Sequence, residues 1–212
     1  MRKFINNLTL VIMALTISVI IYAKTRPDYS TKISYEKIQE IKPVIIIDHG
    51  TLQDDKLAYE SVATVTNFVS QLGPFASLLK GQNFNVIIES NGGRVDLGYK
   101  IIKHLNTLKN RTGIKFKCYV KTAASMAFTL MLSICDEKIG MKGLVLMQHP
   151  VRYNNGARTV KTKLDDLDIN ATEARILKVD PKEWRKLSKE DGDHFFTKEE
   201  IKKYRLVDSH DK

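Results

Sequence analysis

Short apolar runs alternate with amphipathic stretches along residues 43–147. The runs at 44–47 and 85–90 have the length and composition of buried strands. Between the runs, apolar side chains recur every three or four residues, as in a helix that covers a sheet. The pattern predicts strands at 44–47, 85–90, 114–120 and 144–147, and helices at 58–72, 98–108 and 125–134. Strands that alternate with helices predict an α/β domain with a mostly parallel sheet.

The composition changes after these alternating strands and helices. Residues 151–190 are polar and charged and show no clear apolar stripe before Ile176, which predicts a peripheral helical segment. Thr197 followed by Glu200 is a capping-box pattern that opens a last short helix. Leu206 is then expected to pack back on the core.

The N-terminus has the pattern of a targeting segment. Residues 1–23 begin with Arg2 and Lys3 and continue as an uncharged apolar stretch from Phe4 to Ala23. This stretch reaches the roughly 20 residues that a membrane span requires. It predicts a signal peptide or a signal-anchor transmembrane helix, and therefore a membrane-anchored single-pass or exported (periplasmic or extracytoplasmic) protein. Residues 24–43 are interpreted as a linker and residues 44–209 as the folded domain.

The amino-acid composition argues against some classes of function. Lys and Arg exceed Asp and Glu by 34 − 24 = 10, but the basic residues are scattered and form no nucleic-acid-binding signature. We therefore expect no nucleic-acid partner. The two cysteines, Cys118 and Cys135, form no zinc-binding pattern and lie in apolar runs, where free buried thiols are more common. A disulfide is the alternative if the domain is exported.

Three candidate functional elements follow the ends of predicted strands: Gly92-Gly93, Ser125 and His149. In open α/β sheets, sites lie outside the carboxyl ends of the strands. A serine at a strand-to-helix junction exposes its hydroxyl beside free backbone N–H groups. Taken singly, each element also fits a structural role: a helix N-cap for Ser125, a tight turn for the glycines and a hydrogen-bonded histidine.

Together these elements lie in longer stretches that resemble the proteolytic subunit of the Clp protease, a member of the ClpP/crotonase superfamily. The stretches are GRVDLGYKIIKHL after Gly92, CYVKTAASMAFTLML around Ser125, VLMQHP at 145–150 and DHFFTKEEIKKYRLVDS at 193–209. The resemblance runs from about residue 44 to residue 209 and is weakest at 151–185. It implies repeated β-β-α units arranged in a spiral around a mostly parallel sheet, with the N-terminal apolar helix added to that fold.

The resemblance also implies a serine endopeptidase that forms an acyl-enzyme with a peptide or protein substrate. Ser125 takes the position of the nucleophile, His149 that of the base and Asp193 that of the acid that orients the base. Such a triad is recognised by geometry rather than by chain order. The reaction requires no metal ion and no organic cofactor.

The same resemblance assigns the backbone around the serine. The N–H groups of Gly93 and Met126 would form the oxyanion hole, and Gly92 and Gly93 would hold the substrate backbone. The family assembles into rings, so a homo-oligomer is expected. The stretch 151–190 looks like a shortened form of the handle that stacks two rings, which leaves the ring size open. Dependence on an ATP-driven unfoldase is not carried over, because an exported domain would be separated from it.

Some residues depart from the family pattern. The family has His-Gln-Pro where this chain has Gln148-His149-Pro150, and one residue on a strand reverses the direction of a side chain. Lys121 stands where the family has glycine. This raises the possibility of a Ser-Lys dyad, but we favour the interpretation that Lys121 is a solvent-exposed residue at a strand end. Asp191 competes with Asp193 for the acid role.

These departures keep two alternatives open. A catalytically impaired module could use the same fold for assembly or peptide binding. An acyl-CoA enzyme of the crotonase type shares the broader fold and the glycine pair, but it does not account for the serine, histidine and aspartate together.

Overall fold

A six-stranded sheet forms the centre of the domain. The computed structural model describes residues 43–72, 79–151, 160–187 and 192–211, so the predicted anchor, the linker up to residue 42 and Asp191 lie outside the described residues. The strands are β1 Ile45–Ile47, β2 Asn83–Ser90, β3 Lys115–Ala124, β4 Glu137–Gln148, β5 His194–Phe195 and β6 Ser209–His210. Their spatial order is β1-β2-β3-β4-β5, and β6 also pairs with β4. All pairs are parallel except β4 with β5.

Helices connect the strands of the parallel part of the sheet. The helices are α1 Asp55–Leu72, α2 Val95–Thr112, α3 Met126–Ile134, α4 Val160–Leu177, α5 Pro181–Leu187 and α6 Lys198–Lys203. Along β2, Phe84, Val86 and Ile88 are fully buried while the residues between them are exposed. Successive side chains of a strand point to opposite faces, so one face of β2 lies in the core. These observations confirm the predicted α/β fold with a mostly parallel sheet.

Helix α3 carries the most apolar sequence of the domain because it is enclosed by other elements. Ala127, Phe128, Leu130 and Met131 are fully buried on successive faces of this helix. It contacts β3, β4, α2 and α4. On α2, Gly98 packs directly against the Met126 side chain, which would have to move to admit a Cβ at this position. This enclosure fixes the position of the residue that precedes α3.

The predicted β-β-α repeat stays a prediction. In the described residues β2 and β3 are each followed by one helix, and the strands change register part-way along, between Ile88 and Glu89 and again between Val120 and Thr122. The prediction also missed the first half of β4 and the two-residue strands β5 and β6. None of the described helices combines the length and the apolar character that crossing a bilayer requires.

Cys118 and Cys135 form a disulfide, which corrects the expectation of two free thiols. Cys118 lies in the buried face of β3, and Cys135 directly follows α3. Their Cα atoms are 5.8 Å apart, within the range that a disulfide can bridge. The sequence could not reveal this, because the proximity arises only when α3 folds back along β3.

Aromatic side chains attach the C-terminal segments to α3. Phe128 on α3 stacks on Phe196, with 5.0 Å between ring centroids, and Trp184 on α5 stacks on Phe196 at 5.7 Å. Tyr204 meets the edge of Trp184 at 5.2 Å. The Thr197–Glu200 capping box opens α6 as predicted, and Leu206 beyond it is fully buried. The segment after residue 192 is therefore an integral part of the core.

Candidate active site

Ser125 occupies the junction between β3 and α3 in a strained conformation. Its φ is 54° and its ψ is −130°, a backbone conformation that non-glycine residues rarely adopt. Such strain costs on the order of 1–3 kcal/mol and is concentrated at functional sites. The Ser125 N–H donates to the Met147 carbonyl at 2.9 Å, so the end of β4 fixes the backbone of this residue. Ser125 occupies the N-cap position of α3, but its side chain makes no capping hydrogen bond and is therefore not used to cap the helix.

Gly92 lies directly against Ser125. A Cβ at Gly92 would be 2.5 Å from the Ala124 carbonyl oxygen and 2.6 Å from the Ser125 Cβ. Its φ of 88° is also a conformation that favours glycine. At Gly93, a Cβ would overlap the carbonyl oxygen of Leu52. Gly92 is therefore required for the close approach of this backbone to the serine, and Gly93 for its close approach to Leu52.

The backbone N–H of Met126 is the first of α3, and the first N–H groups of a helix have no partner within the helix. A Cβ added at Gly92 would lie 3.0 Å from the Met126 nitrogen, and Gly93 is the next residue along the chain. The predicted oxyanion donors Gly93 and Met126 thus lie on the two segments that meet at Ser125. Backbone N–H groups are the usual donors to a developing oxyanion.

His149 lies one residue beyond the end of β4. Because the strand stops at Gln148, the alternation of side-chain directions does not extend to His149. His149 Nδ1 lies 2.6 Å from the Pro150 carbonyl oxygen. A carbonyl oxygen only accepts hydrogen bonds, so this contact assigns the proton to Nδ1 and leaves Nε2 as the proton acceptor. That tautomer is the one that a general base requires.

Asp193 directly precedes β5, which pairs with the end of β4. Met147 pairs with Phe195 and Gln148 pairs with His194 in antiparallel register, and this pairing stops one residue short of both His149 and Asp193. The assignment of Asp193 as the acid that orients His149 therefore stays a prediction.

A cavity of about 70 Å³ joins most of these groups. Space for one water takes roughly 10–15 Å³, so the cavity can hold an unbranched side chain or several waters. It is lined by Gly93, Val95, Ser125, Met126, Thr129, Gln148, His149, Val151, Ile169, Asn170 and Glu173. The predicted nucleophile, base and both oxyanion residues thus share one cavity. Gly92 and Asp193 are not among its lining residues.

Comparison with known proteins identifies the family. The family model described as Clp protease matches residues 57–209. The chain belongs to the Clp protease family. Solved structures that match it include a point mutant of ClpP1 from Listeria monocytogenes, with 17% sequence identity and a TM-score of 0.58, over 84% of this chain and 95% of that one. No curated protein sequence matches the chain.

Membership of the Clp protease family supports a peptidase function and confirms the resemblance that the sequence indicated. The solved ClpP1 structure supports the fold. Of the alternatives that the sequence left open, the match favours the protease over an acyl-CoA enzyme, because it spans the serine, the histidine and the C-terminal aspartate together.

The residues that depart from the family pattern have separate structural roles. Lys121 donates to Glu89 at 2.6 Å in an exposed ion pair and does not line the cavity. Lys121 is therefore solvent-exposed, as expected, but it lies within β3, at the register shift between Val120 and Thr122, and not at a strand end. Gln148, which stands where the family has histidine, is buried and lines the cavity beside His149.

The other four histidines make contacts elsewhere. His49 Nδ1 accepts from the Asn91 N–H at 3.0 Å. The ring nitrogens of His104 and His194 lie 2.7 Å from Thr66 Oγ1 and 3.1 Å from Glu200 Oε1, respectively. His210 lies beside Gly140 on β6. In the described part of the chain, His149 is the histidine that reaches the cavity.

Glu173 is a cavity residue that the sequence analysis missed. It lies on α4 with only 2% of its surface exposed. Its carboxyl group accepts from Thr129 Oγ1 at 2.7 Å and from Trp184 Nε1 at 2.9 Å. Burial raises the pKa of Glu173 to about 7, and the two donated hydrogen bonds act in the opposite direction. Nothing in the local sequence signals this role, because the buried positions of α4 include polar residues and so show no apolar stripe.

The raised pKa of Glu173 predicts a pH-dependent stability. The folded chain holds this proton up to a pKa of about 7, whereas the ordinary value is 4.5. The stabilisation from this group is complete below about pH 4.5 and is lost as the pH rises to about 7, a total of about 3 kcal/mol. Urea unfolding of the wild type and of Glu173→Gln gives the difference between their free energies of unfolding. This difference should change by about 3 kcal/mol between about pH 4.5 and pH 7. Other carboxyl groups titrate in both proteins and cancel, so parallel pH profiles would contradict the prediction.

Proposed function

We propose that this protein is a serine endopeptidase that hydrolyses peptide bonds through an acyl-enzyme on Ser125. The observation that carries the proposal is the strained backbone of Ser125 beside the Gly92–Gly93 segment, in a cavity shared with His149. Strain of this kind presents a hydroxyl to a substrate instead of to its own helix. Membership of a protease family supports the same chemistry.

In the proposed reaction, the Ser125 hydroxyl attacks the peptide carbonyl while His149 Nε2 takes its proton. The N–H groups of Gly93 and Met126 donate to the oxyanion that forms. His149 then gives the proton to the leaving amine, and water releases the acyl group by the same steps in reverse order. We propose that the backbone of Gly92 and Gly93, which passes directly beside Ser125, holds the backbone of an extended peptide.

Replacement of Ser125 tests this proposal. Ser125→Ala should lower peptide hydrolysis by about 10⁶-fold, because nothing else in the site can form the acyl-enzyme. A fluorogenic peptide assay on purified full-length protein measures the loss. Lys121→Ala is the matched control, since its ammonium group forms an exposed ion pair outside the cavity. Hydrolysis that survives Ser125→Ala would refute the nucleophile assignment.

We further propose that Asp193 orients His149 only in part, because the Pro150 carbonyl already holds the required tautomer. Where an aspartate alone fixes the tautomer, its replacement by asparagine lowers the rate by about 10⁴-fold. Asp193→Asn should therefore lower kcat by clearly less than about 10⁴-fold. A loss as large as that of Ser125→Ala would show that the carbonyl contact does not substitute for the acid.

A second candidate function is that of a peptide-binding or assembly module of the same fold that has lost catalysis. The observation that favours it is Gln148 in the place where the family has histidine. The two candidates differ in one result: such a module binds peptides but shows no hydrolysis that depends on Ser125. In either case we propose that the chain assembles with copies of itself, as its family does.

We also propose that the domain is membrane-anchored or exported. Two observations support this: the uncharged apolar stretch at 4–23 and the disulfide between Cys118 and Cys135, a bond that persists in oxidising compartments.

The thiol state inside cells tests the proposed location. Cells are treated with a membrane-permeant maleimide before lysis, and the mass of the full chain is measured before and after reduction followed by a second maleimide treatment. The chain should carry no adduct before reduction and two adducts afterwards, and it should sediment with membranes or be found outside the cytoplasm. Two alkylated thiols without reduction, in a chain found in the cytosol, would contradict the location.

A further inference from the structure

The cavity beside Ser125 is lined by both apolar and polar side chains. Its apolar lining consists of Val95, Met126, Val151 and Ile169. Its polar lining besides Ser125, Gln148 and His149 consists of Thr129, Asn170 and Glu173. Unbranched amphipathic side chains fit such a cavity, because their methylene groups pack on apolar walls while a polar head reaches polar partners.

Glu173 adds a carboxyl group to the cavity lining, and two hydrogen-bond donors fix its position. Thr129 on α3 and Trp184 on α5 each donate to a different carboxyl oxygen, and both residues are 1% exposed. Each carboxyl oxygen has two acceptor sites, so one site on each oxygen is not used by these two donors. Trp184 is also packed between aromatic rings, which prevents the carboxyl group from swinging away.

The described residues that line the cavity include no lysine or arginine that could match this acid. Among the lining residues that the structure describes, His149 is the only titratable side chain besides Glu173. The side chains that contact the carboxyl group from α3 and α5 are a hydroxyl and an indole, both uncharged. A carboxylate buried without a cation is costly, so a ligand that carries a positive charge into the cavity gains an interaction that the described lining residues do not provide.

We propose that this cavity receives the side chain of the residue whose carbonyl Ser125 attacks, and that Glu173 makes it select lysine. The inference rests on the proposed peptidase function and names its substrate class. The four methylene groups of lysine would lie along Val95, Met126 and Ile169, and the ammonium group would reach the Glu173 carboxylate. Lysine fits better than arginine because a compact ammonium group needs less room than a planar guanidinium group. An aliphatic residue would fill the walls but leave the acid without a counter-charge.

Binding of matched peptides to a protein that cannot cleave them tests the selection. Full-length Ser125→Ala is titrated by calorimetry at about pH 8 with two peptides that differ only at the selected residue, lysine in one and norleucine in the other. Norleucine keeps an unbranched apolar chain and lacks the ammonium group. The lysine peptide should bind at least about tenfold more tightly, a modest effect for a buried charge pair.

The same titration with Ser125→Ala/Glu173→Gln is the control. A glutamine amide can accept from Trp184 and donate to the Thr129 hydroxyl, so the local contacts can be retained. The fluorescence of Trp184, the only tryptophan in the chain, checks that they are. In this protein the preference for lysine should disappear. Equal or tighter binding of norleucine to Ser125→Ala, no binding of either peptide, or a preference that survives Glu173→Gln would each overturn the proposal.

Failure of the lysine selection and failure of the peptidase function are distinguishable. A small fluorophosphonate without a peptide side chain reports whether Ser125 in the wild type is a reactive nucleophile, whatever the cavity selects. Labelling without lysine preference refutes only the selection. Lysine preference without labelling supports the selection and refutes hydrolysis.

Discussion

The close approach of the backbone at Gly92 to the backbone at Ser125 is the constraint on which the site depends. It brings the segment after β2 against the turn between β3 and α3, with less room than any side chain would need. Ser125 holds a strained conformation there because its neighbours determine it: the Met147 carbonyl accepts its N–H, and the enclosed helix α3 starts directly after it. The remaining groups of the site are arranged around this fixed point.

Much of this arrangement follows from the sequence. Buried strands and amphipathic helices are visible in the apolar pattern, and parallel strands bring their carboxyl ends to one edge of the sheet. That is enough to predict that Gly93, Ser125 and His149 lie near one another. The capping box at Thr197 is a local signal and is found where it was expected.

Other features depend on contacts that local patterns do not encode. Strands β5 and β6 are two residues long each, and they exist only because β4 is beside them. The disulfide requires α3 to return along β3 before the two cysteines can meet. Glu173 is polar in sequence yet buried in the fold, because Thr129 and Trp184 satisfy its oxygens. The same polar positions made residues 151–190 look peripheral, although Ala174 and Trp184 lie in the core.

The central claim is that Ser125, His149 and two backbone amides act on one carbonyl group. A crystal structure of the wild-type protein treated with a small fluorophosphonate tests it most directly. We expect a phosphonyl group bonded to Ser125 Oγ, with its oxygen about 2.7–3.1 Å from the nitrogens of Gly93 and Met126, and with His149 Nε2 directed at the site. No adduct after prolonged treatment, or an adduct whose oxygen points away from both amides, would contradict it.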